Sequence, residues 1–219
     1  MIRAAIFDMD GTLVDNSDVH VKAFERFCAS YGVTDWEEKM KSAFGMGNDD
    51  IMRRILPESL IREKGLQALA DEKEAVYREI YAPTIAPVAG LVELLERLQQ
   101  AGIRCAVGSS GCRTNVDFVL DKCNLERFFE VKISGDRVSH CKPDPEIYRT
   151  AAAALGVEPA ECIVFEDAGA GFEAARRAGI GRIVAIATTL SREKLSELSG
   201  LYAVVSDYRE ITDLTHLLQ

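Results

Sequence analysis

Two aspartates, Asp8 and Asp10, stand two positions apart at the end of the first apolar run of the sequence. The run Ala4 to Phe7 is typical of a buried parallel strand. Side chains two apart on an extended chain point to the same side, so both carboxylates should converge at the strand's carboxyl end, where open α/β sheets bind ligands. Two adjacent carboxylates repel and are costly to desolvate, which indicates a cation, a shared proton or a reaction. A solvated acidic turn is the alternative for an Asp-x-Asp considered alone.

Polar side chains also follow later strand-like runs. Ser109 comes after the second apolar run, Lys142 lies in a proline-rich loop before a helix, and Glu166 and Asp167 end a third run. The carboxyl ends of parallel strands share one edge of a sheet, so we expect these groups to meet in one crevice. Carboxylates suit Mg²⁺, a lysine balances a phosphoryl group, and a serine beside glycines can hold phosphoryl oxygens. The set predicts metal-assisted phosphoryl transfer, with one aspartate free to attack.

The elements that must position these residues follow two patterns. Residues 88 to 219 alternate between helix and strand, which together with the first strand predicts an α/β, doubly wound, Rossmann-like parallel sheet. Residues 16 to 83 are almost entirely helical, with predicted helices from 16 to 32, 35 to 44, 48 to 56 and 58 to 81. We therefore expect a core domain of residues 1–15 and 87–219 and an inserted α-helical cap domain of residues 16–86. Such a cap would exclude water and select the substrate.

Composition narrows the functional classes. The 219 residues carry a net charge of −9, which argues against nucleic acid or an anionic membrane surface as partner. The six cysteines form no Cys-x-x-Cys pair, so a disulfide framework or zinc site is not expected. Neither a signal peptide nor a membrane-spanning run is evident. We expect a cytoplasmic protein, a monomer or weak homodimer, that acts on a small phosphorylated metabolite.

The polar strand ends combine into a known set of motifs. The segments are Asp8-Met9-Asp10-Gly11-Thr12, Ser109 after its strand, Lys142-Pro143-Asp144-Pro145, and Glu166-Asp167-Ala168-Gly169-Ala170-Gly171. Over essentially its whole length the chain resembles the haloacid dehalogenase superfamily, in particular its capped phosphatase and β-phosphoglucomutase branch.

The resemblance implies a role for each catalytic position. Asp8 would be the nucleophile that becomes an aspartyl-phosphate. Asp10 would protonate the leaving oxygen and later activate water. Ser109 and Lys142 would hold the phosphoryl group, and Ser110 either joins them or only completes the turn. An aspartate at position 10 favours phosphate esters, whose alkoxide leaving groups need a proton.

The resemblance also implies a Mg²⁺ site. Its ligands would be the Asp8 and Asp167 carboxylates and the Asp10 backbone carbonyl, with Glu166 binding directly or through water. His20 follows the catalytic loop at the spacing found in the mutase-like branch. It could contact substrate or the proton network of Asp10, or only pack or be solvated.

Three functions are open at this point. A mutase of this kind holds a second phosphate with a cationic residue in a cap turn, and the turn at 44–50 contains no lysine or arginine. We therefore favour a phosphatase acting on a sugar or polyol phosphate, with a β-phosphoglucomutase-like mutase as the alternative. A non-catalytic binding protein is less favoured, because every motif position is intact.

Overall fold

A six-stranded parallel sheet forms the centre of the computed structural model, which describes residues 1–40 and 48–219. Its order is β3-β2-β1-β4-β5-β6. The strands are β1 Ala4–Phe7, β2 Arg104–Gly108, β3 Val131–Ile133, β4 Cys162–Glu166, β5 Arg182–Ile186 and β6 Ala203–Val205. The predicted doubly wound sheet is confirmed, with β1 at its centre and β6 at one edge.

The register of the central strands sets the position of the polar residues. Phe7 is paired with Val107 on β2 and with Phe165 on β4. The next residue along β1, Asp8, therefore lies level with the ends of both neighbouring strands. This alignment brings three chemically active segments to one edge of the sheet.

Helices cover both faces of the sheet, so β1 is buried along its whole length. Ala5 and Phe7 belong to the hydrophobic cluster on one face, and Ala4 and Ile6 to the cluster on the other. Phe7 stacks on Phe165 at 4.5 Å between ring centroids. The flanking helices are α6 Leu91–Gln100, α7 Arg113–Lys122, α8 Glu146–Ala154, α9 Gly169–Ala178, α10 Arg192–Ser196 and α11 Leu214–Leu218.

Between β1 and α6 the described residues are helical. These cap helices are α1 Ser17–Ser30, α2 Trp36–Met40, α3 Asn48–Ile55, α4 Glu58–Lys64 and α5 Leu66–Tyr81. They share a hydrophobic cluster of their own, in which Trp36 packs beside Phe24 with 6.3 Å between ring centroids. The domain boundaries at 15/16 and 86/87 stay a prediction.

One predicted helix is wrong. The continuous helix expected from 58 to 81 breaks into α4 and α5 at Gly65, which has a φ of 87°. Only glycine adopts this backbone conformation without steric cost, so Gly65 ends one helix and redirects the chain into the next. The predicted helix from 35 to 44 is described only as α2. Residues 41–44 of that helix, and residues 45–47 of the predicted turn at 45–48, lie outside the described residues.

Across residues 1–40 and 48–219, every helix is too short or too polar to cross a lipid bilayer. Cytoplasmic location and the monomeric or weakly dimeric state stay predictions.

Candidate active site

A cavity of about 160 Å³ opens where the carboxyl edge of the sheet meets the cap helices. All eight residues predicted for the site line it: Asp8, Asp10, His20, Ser109, Ser110, Lys142, Glu166 and Asp167. The volume suits a small metabolite rather than a macromolecule. The convergence predicted from the strand ends is therefore observed.

Three carboxylates gather around one lysine on the cavity floor. One oxygen each from Asp8, Glu166 and Asp167 lies within 4.8 Å of the other two, and all three residues are buried. The Lys142 Nζ donates to Asp8 Oδ1 at 2.5 Å and to Glu166 Oε1 at 2.7 Å. One lysine cannot neutralise three buried carboxylates, so the cluster has the charge and the hard oxygen donors that suit a divalent cation.

The protonation of these acids reflects that missing positive charge. Burial, reinforced by Glu166 and Asp10 and opposed by Lys142, raises the pKa of Asp8 to about 7. Burial and the charges of Glu166 and Asp8 likewise raise the pKa of Asp167 well above its ordinary value. A cation bound here would favour the ionised carboxylates. The donor set therefore fits a metal such as Mg²⁺.

Glu166 differs from its two neighbours, because its carboxylate is fully engaged by the protein. Its Oε1 accepts hydrogen bonds from Lys142 and from the Tyr148 hydroxyl at 2.9 Å. Its Oε2 accepts from the backbone N–H groups of Asp167 and Ala168 at 2.8 and 2.9 Å. With two donors on each oxygen, Glu166 holds Lys142 and the β4–α9 turn in place, which favours contact with an ion through water over direct ligation.

Two glycines make room for these acids. A Cβ on Gly171 would overlap the Glu166 carboxylate, and a Cβ on Gly11 would overlap that of Asp167. Gly11 also has a φ of 76°, which disfavours any other residue. Gly11 of the first motif and Gly171 of the last motif thus have steric reasons to be glycine.

Asp10 contacts the cap helices through His20, which lies on α1. The Asp10 Oδ1 accepts a 2.6 Å hydrogen bond from Asn16 Nδ2 and lies 3.4 Å from His20 Nε2. The Lys73 ammonium lies 3.3 Å from His20 Nδ1, and because an ammonium only donates, the proton of a neutral His20 belongs on Nε2, facing Asp10. The His20 ring stacks on Tyr77 at 4.2 Å. His20 therefore lies between Asp10 and Lys73, and its role in the proton network of Asp10 stays a prediction.

These contacts determine the protonation state of the Asp10 carboxyl group in the absence of substrate. Burial raises the pKa of Asp10, but the hydrogen bonds from His20 and Asn16 and the charges of His20 and Lys73 outweigh it, so the pKa is lowered overall. The ionised form is the one that can accept a proton from water. A phosphate dianion nearby would raise this pKa and favour the acid form.

The two serines at the end of β2 differ in their bonding. The Ser109 Oγ, almost fully buried, accepts a hydrogen bond from the Gly111 N–H at 3.0 Å. The Ser110 Oγ is buried on the cavity wall and has no hydrogen-bond partner among the residues that the structure describes. An unsatisfied buried hydroxyl is costly, which indicates that Ser110 is available to a ligand oxygen.

Several lining residues were not found from the sequence. Asn16 lies at the start of the first predicted helix, yet its side chain makes no capping bond and instead contacts Asp10 and the Tyr77 hydroxyl. Lys73 and Glu74 belong to no motif in the sequence, yet both are buried. Their spacing from Ala70 and Tyr77 places them on the buried stripe of α5, a signal that could have found them. Tyr148 carries no such signal, because it resembles any core aromatic residue.

Comparisons with known proteins agree with this geometry. The family model described as "Haloacid dehalogenase-like hydrolase" matches residues 5–185. A phosphorylated carbohydrates phosphatase of Thermotoga maritima is 30% identical over 99% of this chain and all of its own. The validoxylamine A 7'-phosphate phosphatase of Streptomyces hygroscopicus subsp. limoneus is 34% identical, covering 95% of this chain and 97% of its own. A solved structure of mutant CbbY from Rhodobacter sphaeroides in complex with xylulose-(1,5)bisphosphate has a TM-score of 0.87, with 28% identity over 100% of both chains.

Proposed function

The chain belongs to the haloacid dehalogenase-like hydrolase family and is a phosphoric monoester hydrolase, and from this premise we propose that it hydrolyses a phosphorylated sugar or polyol through an aspartyl-phosphate on Asp8. The observation that carries the proposal is the convergence of Asp8, Asp10 and Lys142 on one cavity, beside an acidic cluster suited to a cation. The substrate class rests on the relatives, which act on phosphorylated carbohydrates and on a phosphorylated validoxylamine.

In the first half-reaction, a carboxylate oxygen of Asp8 attacks phosphorus and the bond to the leaving oxygen breaks. Lys142 lowers the pKa of Asp8, which favours its ionised form, and offsets charge on the phosphoryl oxygens. Ser109 and Ser110 hold those oxygens from the β2 side. Asp10, in its acid form, gives its proton to the leaving alkoxide.

In the second half-reaction, Asp10 takes a proton from water, whose oxygen attacks the aspartyl-phosphate. Phosphate leaves, and Asp8 is regenerated as a carboxylate. The hydrogen bonds from Asn16 and His20 favour the ionised, basic form of Asp10 needed for this step. The cap helices limit the access of bulk water to the cavity.

We assign the Mg²⁺ site to the Asp8 and Asp167 carboxylates and the Asp10 backbone carbonyl. Bound there, Mg²⁺ would supply positive charge that lowers the repulsion between Asp8 and the phosphoryl group. Glu166, whose oxygens already have four donors, acts by positioning Lys142 and any water near the ion rather than as a direct ligand.

A β-phosphoglucomutase-like activity remains the alternative. The sequence argument against it concerns the turn at 44–50, of which residues 44–47 lie outside the described part of the chain. Asp49 and Asp50, in the described part, are exposed acids that would not favour a second phosphate. A binding protein without catalysis is disfavoured, since the nucleophile and the acidic cluster are all in place.

A screen of phosphorylated metabolites with and without Mg²⁺ tests the proposal. We expect Mg²⁺-dependent phosphate release from one or more sugar or polyol phosphates, and none from the Asp8→Asn protein. Isomerisation of glucose 1-phosphate stimulated by a bisphosphate would favour the mutase instead. Undiminished hydrolysis by Asp8→Asn would contradict the proposed nucleophile.

A further inference from the structure

A buried ion pair lies on the cap side of the cavity, away from the acidic cluster. The Lys73 Nζ donates to Glu74 Oε1 at 2.7 Å, with the two side chains only 2% and 6% exposed. Both line the cavity. Lys73 contacts His20, which contacts Asp10, so the pair lies beyond the proton-transfer group, on the side of the leaving group.

Glu74 is held rigidly from the sheet side as well. Its Oε2 accepts a 2.6 Å hydrogen bond from Asn115 Nδ2 on α7, and the Asn115 Oδ1 accepts one from Arg78 at 2.7 Å. Each Glu74 oxygen thus has one protein donor and can accept another. Burial raises the pKa of Glu74, but Lys73, His20 and Asn115 lower it overall, which keeps the carboxylate ionised.

In the described part of the cavity, little uncompensated positive charge is available to bind a second anionic group. Among the residues that the structure describes, the lysines that line the cavity are Lys73 and Lys142. Lys142 is engaged by Asp8 and Glu166, and Lys73 by Glu74. A second phosphate or carboxylate would have to approach a fixed negative charge in a partly desolvated space, which is unfavourable.

The neutral, hydroxylated end of a sugar or polyol phosphate fits the cavity wall that Lys73 and Glu74 line. Hydroxyl groups can donate to the free acceptor positions of Glu74, while Phe24, Met40 and Ile51 supply apolar surface for the carbon skeleton. A site built to pair with hydroxyl donors discriminates strongly against groups that leave it unpaired.

We propose that Glu74 is a specificity-determining residue that selects monophosphates whose leaving group is a neutral polyol or sugar and rejects those that carry a second anionic group. This inference rests on the proposed phosphatase function and concerns the leaving-group half of the same site. It separates this chain from a relative that binds a bisphosphate.

The test compares matched pairs of substrates that differ in the charge of the far end. Suitable probes are glycerol 3-phosphate against 3-phosphoglycerate, sorbitol 6-phosphate against 6-phosphogluconate, and fructose 1-phosphate against fructose 1,6-bisphosphate. For the wild-type protein with Mg²⁺, we expect kcat/KM to favour the neutral member by at least about tenfold in the pairs that are hydrolysed. A preference for the anionic members, or equal values, would overturn the proposal.

Two variants link any preference to Glu74. Glu74→Gln keeps the shape and removes the charge, so the ratio of neutral to anionic kcat/KM should fall by about tenfold, mainly through KM of the anionic members. The matched control is Glu79→Gln on the same helix, where the side chain is 66% exposed and pairs with Arg26. Its ratio should equal the wild-type ratio. An unchanged ratio in Glu74→Gln would also overturn the proposal.

Folding and overall activity are controlled separately. If circular dichroism shows that Glu74→Gln is unfolded, the double variant Lys73→Gln with Glu74→Gln removes both buried charges and should show the same loss of preference. Hydrolysis of p-nitrophenyl phosphate, which lacks a polyol end, reports the basic chemistry. Its absence in the wild type would contradict the phosphatase itself, whereas its presence without discrimination, or without hydrolysis of any paired probe, would contradict only the role of Glu74.

Discussion

At the scale of single residues, the site is organised by how each carboxylate is paired. Asp8 and Glu166 share Lys142, Asp10 is bound by Asn16 and His20, and Glu74 is bound by Lys73 and Asn115. In the proposed mechanism, the same chemical group thereby serves as nucleophile, proton carrier, positioning group and selector. Environment, rather than residue type, separates these roles.

Motif residues were predictable from the sequence because they follow strands at fixed positions. Glu74 and Lys73 were not, because a charged pair within a polar helix usually faces solvent. Their helical spacing from Ala70 and Tyr77 was a signal of burial, but their charge favoured solvent, and the packing of α5 against α1 and α7 shows that they are buried.

The Glu74–Lys73 pair gives a prediction on pH. Replacing Glu74 by Gln leaves Lys73 as a buried unpaired charge, which should lower the free energy of unfolding by about 3 kcal/mol near neutral pH. The pKa of Glu74 is lowered below its ordinary 4.5 in the folded state, so its stabilisation is complete above that value and is lost as pH falls through the folded pKa. Urea unfolding of both proteins should therefore show a difference that shrinks as the pH falls below 4.5.

The exposed Glu79→Gln is again the control, with an expected change within about 0.5 kcal/mol at each pH. A Glu74→Gln difference that stays constant down to the acid limit of folding would show that Glu74 is not the ionised partner of Lys73.

At the scale of elements, the sheet register carries most of the site. Because Phe7, Val107 and Phe165 are level, the residues after them converge without any long-range adjustment. This is why strand ends alone predicted the floor of the cavity. Helix boundaries were less predictable, because the predicted helix from 58 to 81 runs across Gly65, whose positive φ divides α4 from α5.

The turn from β4 into α9 yields a prediction with a matched control. Gly171→Ala places a Cβ against the Glu166 carboxylate, so Glu166 must move and Lys142 loses a partner. We expect a loss of about 1–3 kcal/mol in unfolding free energy and a marked fall in kcat. Gly169→Ala, two residues earlier, meets no atom within 4 Å.

Thermal unfolding and steady-state kinetics of the two alanine variants test this predicted difference. Gly169→Ala should differ from wild type by no more than about 1 kcal/mol, in either direction, with similar kcat. Equal effects of the two substitutions would mean that the close approach to Glu166 has no mechanistic consequence.

At the scale of the whole molecule, the parallel sheet and the cap helices each supply side chains to the cavity. The parallel sheet presents Asp8, Lys142 and the acidic cluster, while the cap helices supply His20, Lys73 and Glu74 across the same cavity. The net charge of −9 does not exclude an anionic substrate, because Lys142 and a bound cation would set the field inside the cavity. We therefore propose that the sheet edge carries out the reaction and that the cap selects the substrate.

In the proposed mechanism, Asp8 becomes phosphorylated and Asp10 is needed to release the phosphate. The Asp10→Asn protein with p-nitrophenyl phosphate separates these steps, because nitrophenolate leaves without a proton whereas the attack of water needs a base. With Mg²⁺ we expect a burst of nitrophenolate close to one per active site, followed by slow turnover. Peptide mass spectrometry of the acid-quenched protein should locate the phosphate on Asp8, and chelation of Mg²⁺ should abolish it. Turnover at the wild-type rate with no phosphate on Asp8, or phosphate on another residue, would contradict the account.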